Sequence, residues 1–359
     1  VFIGKNMQDL QTALDSHRQK IDVENFDLTI REIISMVRAG EIKRSPSYQR
    51  KFRWKAEDES RLIESMLLGL PIPNVFVATN PDGSWELVDG LQRVSTVLHF
   101  ALDDANVNDL TLIAEMARTD SLELSGLAKL DAFNGQRFKT LPQSLQFLFL
   151  KRQFRVTALS DKSDHSARFD LFERLNRGGI ALSPQEVRDC VYRSPFSDLL
   201  SELAENADFL KLIKVQELHK NDGTLEEQVL KFYAYLNHRD SFDGSVVGFL
   251  NDYIATRHKD TKVSKDKNEF LSVVGALAQQ VDGPILRKNT SLTPLNHFEA
   301  ILVGAAEVLR KKQPLTPQKN WVNDKQLTKF SSGGTNTKSM LNGRIQRATE
   351  LFLGAEVML

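Results

Sequence analysis

Between residues 56 and 70, Leu62, Ile63, Met66, Leu67 and Leu70 repeat every three or four positions, and the spacing predicts a helix with one apolar face. A similar rhythm in FDLTIREIISMV predicts a short helix over 26–37. Residues 41–55 (EIKRSPSYQRKFRWK) contain Pro46 and many cations and read as extended or loop. Two β-rich runs, 74–79 and 84–88, flank Asn80-Pro81-Asp82-Gly83, which is good hairpin chemistry. Asp89 and Gly90 then lead into a helix predicted over 91–102. The first hundred residues therefore read as α+β, with SWELVDGLQR on a strand–turn–helix corner.

From about residue 105 the pattern is mostly helical, except that QFRVTAL (153–159) alternates like a strand and is expected to join the first sheet. Residues 166–176 and 183–192 read as helices. The second has a plain start signal, with Ser183 as N-cap, Pro184 first in the helix and Glu186 three residues after the cap. Beyond residue 208, helices break at 222–223, 243–244, the charged run 258–267, 283–284 and 331–334. No internal repeat stands out. The expected organisation is a polar arm over 1–24, an α+β domain over 25–110 that also takes in 153–159, a helical region over 111–207, and a C-terminal helical domain over 208–359.

Composition changes this picture little. Hydrophobic residues are 41% and charged residues 26% of 359, enough for a sizeable core. Lys+Arg and Asp+Glu are both 47, so attraction to nucleic acid must come from local clusters. The single cysteine, Cys190, excludes an internal disulfide and a multi-cysteine zinc site and fits a reducing compartment. Apolar runs such as 145–150 fall far short of a membrane span, and VFIGKNMQDLQ lacks a signal-peptide pattern, so a cytoplasmic location is expected.

Three stretches carry candidate chemistry. In VDGLQRVSTV, a helix start offers unpaired N–H groups and the positive end of the dipole, and Gly90 permits close backbone approach. Arg93 is placed to grip phosphate oxygens, and Asp89 to hold Mg2+ or orient a water. A plain strand–helix turn with Asp89 as helix cap fits the same pattern, and both readings stay open here. In PSYQRKFRW, Tyr48, Phe52 and Trp54 alternate with charges, within a run of six cations (Lys43, Arg44, Arg50, Lys51, Arg53, Lys55) that no acid interrupts. That suits phosphate plus base stacking, and equally a solvated basic edge. In FERLNRGGIALSPQEVRDC, residues 176–179 form a turn that serves a ligand or simply stops a helix. Glu186 reads as a capping-box residue and Arg188 as a surface ion pair. The seven histidines are scattered without paired spacing, which disfavours His-ligated metal chemistry, and there is no P-loop motif.

Taken in order, YQRKFRW, RLIESMLLGLPIPNVFV, WELVDGLQRVSTVLHF and FERLNRGGIALSPQEVRD resemble the N-terminal domain family of GmrSD-type modification-dependent restriction enzymes (domain of unknown function 262). The resemblance covers about residues 25–200 and implies a ParB/sulfiredoxin-like α+β domain followed by a helical region. It implies nucleotide binding and hydrolysis at the D-G-x-Q-R corner, with Mg2+, coupled to a nuclease partner that acts on foreign, often modified, DNA in antiphage defence. Asp89, Gln92 and Arg93 would be catalytic, with Asp89 also holding the metal. Tyr48, Gln49, Arg50, Arg53, Gly90, Asn176 and Arg177 would bind the nucleotide. The family's usual form is D-G-Q-Q-R, and Leu91 replaces its first Gln here. Sulfiredoxins place a cysteine at the related corner, and its absence excludes sulfinic-acid reduction. A DNA-binding adaptor without turnover, and a nuclease using the corner directly, are the alternatives. A homo-oligomer is compatible with all three.

Overall fold

The computed structural model describes residues 22–43, 54–80, 82–101, 120–160, 169–172, 183–220 and 222–353, besides Leu10, Thr12 and Arg174. The chain divides into two compact units, Val1–Ala181 and Leu182–Leu359.

Unit 1 is α+β, as expected. Strand β1 (Val23–Thr29) runs straight into helix α1 (Ile30–Arg38), and after a turn comes the short β2 (Ile42–Lys43). Helix α2 (Ala56–Leu67), the hairpin β3 (Val75–Thr79) and β4 (Trp85–Asp89), and helix α3 (Leu91–Phe100) follow. Helix α4 (Gln143–Leu150) and strand β5 (Gln153–Leu159) complete the described elements. The sheet order is β1-β5-β3-β4-β2. β5 pairs parallel with β3 and antiparallel with β1, so the alternating 153–159 run does join the first sheet.

Two expectations are corrected. Residues 26–29 are strand, where a helix over 26–37 was expected. Thr29 ends the strand as N-cap of a capping box with Glu32, while Phe26 lies against Trp85 at 5.1 Å between ring centroids. Residues 120–141 hold only short 3-10 turns at Asp131–Phe133 and Phe138–Thr140, where helix was expected. The hairpin turn is as expected: the Asn80 N–H donates to the Ser84 carbonyl (2.8 Å), and Gly83 takes φ +81°.

The core of unit 1 follows the two periodicities. Ile30, Ile33, Ile34 and Val37 of α1 and Leu62, Ile63, Met66 and Leu67 of α2 close around Val75, Val77 and Leu87 of the sheet. Among them, α3 buries Val94, Val97, Leu98 and Phe100. A helix buried this deeply holds its own first turn, and with it the corner, in a fixed place.

Unit 2 is helical among its described residues. Its elements are α5 (Pro184–Val191), α6 (Pro195–Ala204), α7 (Ala207–Leu212), α8 (Thr224–His238), α9 (Val246–Arg257), α10 (Ser264–Ala278), α11 (Leu295–Arg310), α12 (Lys325–Phe330) and α13 (Lys338–Phe352). The breaks fall where glycines and charged runs place them, with Gly223 (φ +80°) as N-cap of α8. Helix α11 is apolar on nearly every side and is the central helix of the unit. Among the described residues, no helix is long and apolar enough to cross a membrane.

Candidate functional site

The corner is built from β4, Gly90 and the first turn of α3. Gly90 is buried at φ +102°, in the left-handed region where a side chain is strained. A Cβ there would also lie 2.9 Å from Cγ2 of Val75 and 3.3 Å from Nη2 of Arg93. Two independent constraints therefore require glycine. β3 shifts register between Phe76 and Val77 beside this turn, with Phe76 facing Asp89. Such irregularities re-aim side chains at the end of a strand.

Gly90 is itself the N-cap of α3, with no side-chain cap, so the reading of Asp89 as helix cap is corrected. The Asp89 carboxylate turns instead to Arg93: Oδ2 accepts from Nη2 at 2.7 Å, and the same nitrogen donates to the Asn74 carbonyl at 2.9 Å. The Arg93 side chain is 15% exposed and that of Asp89 39%. Nε of Arg93 is buried without an acceptor. Both bonds to Nη2 anchor one limb of the guanidinium.

Gln92 is the second side chain of the turn that the sequence singles out. Its Oε1 accepts the Trp54 N–H at 3.3 Å, which ties the end of the cation–aromatic stretch to the corner. Tyr48, Gln49, Arg50 and Arg53 within that stretch lie outside the described residues, as do Asn176 and Arg177. Of the six cations, Lys43 and Lys55 are described: Lys55 is the N-cap of α2, and Lys43 is paired with Asp82 at 2.7 Å across the hairpin turn. The Lys43 ammonium, with the Ser84 hydroxyl and N–H, holds the Asp82 carboxyl well below the usual carboxylate range. Leu91 packs against the core cluster, so the residue that departs from the family's form turns inward.

Sequence reasoning missed a buried pair behind the corner. Glu59 of α2, 0% exposed, meets His99 of α3 at 2.6 Å, and the second ring nitrogen of His99 lies 2.9 Å from the Asp120 carbonyl oxygen. The available signal was position: Glu59 falls on the same helical stripe as Leu62, Ile63 and Met66. A charged residue in a core stripe needs a partner.

In unit 2 the capping box of α5 is as expected. Ser183 Oγ accepts the Glu186 N–H at 3.2 Å, and Glu186 Oε2 accepts the Ser183 N–H at 2.6 Å. Arg188 is a correction, because its side chain is fully buried where a surface ion pair was expected. It donates from Nη1 to Glu227 (3.0 Å) and Gln185 (3.0 Å), and from Nε to Asn251 (2.8 Å). Alternating charges continue inward, with Lys231 3.1 Å from Glu227 and 3.7 Å from Glu299, and Arg344 2.6 Å from Glu299. Beside this chain, burial and the nearby Glu226 raise the Asp189 carboxyl well above its ordinary value. Among the described residues, no group of three His, Cys, Asp or Glu side chains could hold a metal ion by itself.

Residues 30–193 match the family model described as GmrSD restriction endonuclease, N-terminal domain, which bears out the resemblance read from the four motifs. No curated protein and no solved structure matches the chain significantly.

Proposed function

From the match of residues 30–193 to the GmrSD restriction endonuclease N-terminal domain, we propose that the 89–93 corner binds the phosphates of a nucleoside triphosphate and hydrolyses it within a DNA restriction system. The observation that supports this most is the anchored arginine. Arg93 sits in the first turn of a helix whose N-cap is a buried glycine, held there by Asp89 and the Asn74 carbonyl. A helix start and a fixed guanidinium both favour an anion. Gly90 leaves the backbone open to a phosphate, and Gln92 joins the corner to the cation–aromatic stretch, whose Tyr48, Gln49, Arg50 and Arg53 would form the facing wall.

Mg2+ fits this site only in company with the nucleotide. Asp89 supplies a single, partly exposed carboxylate, and magnesium is commonly held by one or two carboxylates together with substrate phosphates. The metal would neutralise phosphate charge, while Asp89 keeps Arg93 in place and orients a water. The ParB/sulfiredoxin likeness of unit 1 belongs to the same proposal. So do DNA, modified or not, as the target and a separate nuclease as the partner, since the corner offers no paired ligands for a scissile phosphate.

Calorimetry with ATP, GTP, CTP and UTP, each with Mg2+, tests the reading. Arg93→Ala should remove a charge-assisted bond and weaken binding by about 1.5–3 kcal/mol. Asp89→Asn should keep most of the binding and lose turnover. Unchanged affinity in Arg93→Ala at equal melting temperature would sink the assignment. An unimpaired turnover rate in Asp89→Asn would reduce Asp89 to a structural partner of Arg93.

A further inference from the structure

A cluster of exposed and partly exposed cations lies in unit 2, outside the family-matched segment. Helix α12 carries Lys325 and Lys329, both exposed and four residues apart, so their side chains share a face about 5–6 Å apart at Cβ. Like charges at that spacing destabilise an isolated helix. Two hydrogen bonds bring further cations beside them. The Lys288 N–H donates to Asn323 Oδ1 at 2.7 Å, just before α12, and Arg287 Nη1 donates to Ser332 Oγ at 3.1 Å, just after it.

Among the described residues, no carboxylate lies within ion-pair distance of Arg287, Lys288, Lys325 or Lys329. Of the acids nearby in the chain, Asp282 is exposed and makes no ion pair among the described residues, while Asp324 and Glu350 are already committed. Both Asp324 oxygens accept from Arg347, one of them also capping α12 through the Leu327 N–H, and Glu350 pairs with Arg347 too. His297 lies inside this neighbourhood, and burial, with the Arg287 charge adding to it, pushes its imidazole down to about 4.

One phosphate would need one or two of these groups. Four unpaired cations spread around a short helix match a polymer with repeated charges. We infer that the face formed by α12 and residues 287–288 binds the phosphate backbone of nucleic acid, taken as duplex DNA. The choice of DNA rests on the restriction-system reading; the surface itself does not. With no aromatic group required, contact is expected to be insensitive to base sequence.

The test is fluorescence anisotropy of the full chain with a labelled DNA duplex across a salt series. The variant Lys288→Glu/Lys325→Glu/Lys329→Glu should lose at least about tenfold in affinity at low salt. Its log–log salt slope should fall by about 2–3, near 0.9 for each phosphate contact removed. Lys259→Glu/Lys262→Glu/Lys265→Glu, an exposed run elsewhere in the unit, should bind DNA like the parent. Unchanged affinity and slope in the first variant would overturn the inference alone. Equal losses in the 259–265 variant would overturn it as a general charge effect. Polyglutamate displacing DNA at equal charge would replace it with an acidic protein partner. A parent chain that binds no duplex at any salt would overturn the inference and the DNA target together, while nucleotide binding at Arg93 would still be measurable.

Discussion

Gly90→Ala tests the corner most directly, because two separable costs meet in one methyl group. The first is conformational: φ +102° places an alanine in the left-handed region, at about 1–2 kcal/mol. The second is steric, since the new Cβ would lie 2.9 Å from Cγ2 and 3.2 Å from Cγ1 of Val75, which is 1% exposed and has nowhere to retreat. Overpacking of this kind costs about 1–3 kcal/mol, so the total loss expected is about 2–5 kcal/mol. Shaving the neighbour separates the two. In a Val75→Ala background the clash is gone and only the conformational cost of about 1–2 kcal/mol should remain. Urea unfolding would be followed by fluorescence in a Trp321→Phe chain, where Trp54 and Trp85 remain and both lie in unit 1. Nucleotide titration of the same variants should show weaker binding for Gly90→Ala, because the methyl would also sit 3.3 Å from Nη2 of Arg93. A penalty under about 0.5 kcal/mol, or one of equal size in both backgrounds, would refute the reasoning that Gly90 is required on both counts.

Three further outcomes are expected in unit 2. Arg188→Ala should destabilise the chain by about 2–5 kcal/mol in thermal or urea unfolding, since it opens a cavity at a fully buried site and leaves the half-buried Glu227 to Lys231; Arg188→Met with Glu227→Gln should recover most of that, and a silent single variant would deny Arg188 its buried role. Asp189→Asn should raise the melting temperature near pH 8 and leave it unchanged near pH 4. The folded carboxyl value lies above the unfolded one, so the stability it contributes is complete below the unfolded value and is lost as pH rises through the folded one. A melting difference that does not change with pH would show that Asp189 is ionised in the fold. Glu186→Gln should change neither turnover nor stability appreciably, because an amide still completes the capping box; a large loss of activity at normal stability would move Glu186 into the site.

Local chemistry was legible wherever one segment contained all of its causes. The α2 stripe, the hairpin turn at 80–83 and the Ser183–Glu186 cap are each written within a few residues. The segment 26–29 misled because FDLTI alternates with period two while Ile30, Ile33, Ile34 and Val37 repeat with the helical period. Only the pairing of β1 with β5, more than a hundred residues away, decides where one gives way to the other. The corner was legible as residue types but not as contacts. Asp89 was open to a capping role until the left-handed Gly90 took the cap and left the carboxylate to Arg93. Arg188 read as exposed because its acceptors, Glu227 and Asn251, come from helices that its own neighbourhood does not announce.

The burial of Arg188 also restricts how this chain can be recombined. The family-matched stretch ends at residue 193, just after α5, yet Glu227, which neutralises Arg188, and Asn251, which accepts from it, lie beyond that point. A crossover at residue 193 would hand a new C-terminal partner a helix carrying a buried cation, while the acceptors stayed with the discarded half. Such a chimaera survives only if the incoming bundle offers a carboxylate and an amide at the equivalent places. A junction before Leu182 transfers donor and acceptors together and needs no such coincidence. The boundary of sequence kinship and the boundary of safe exchange therefore differ by the length of one helix.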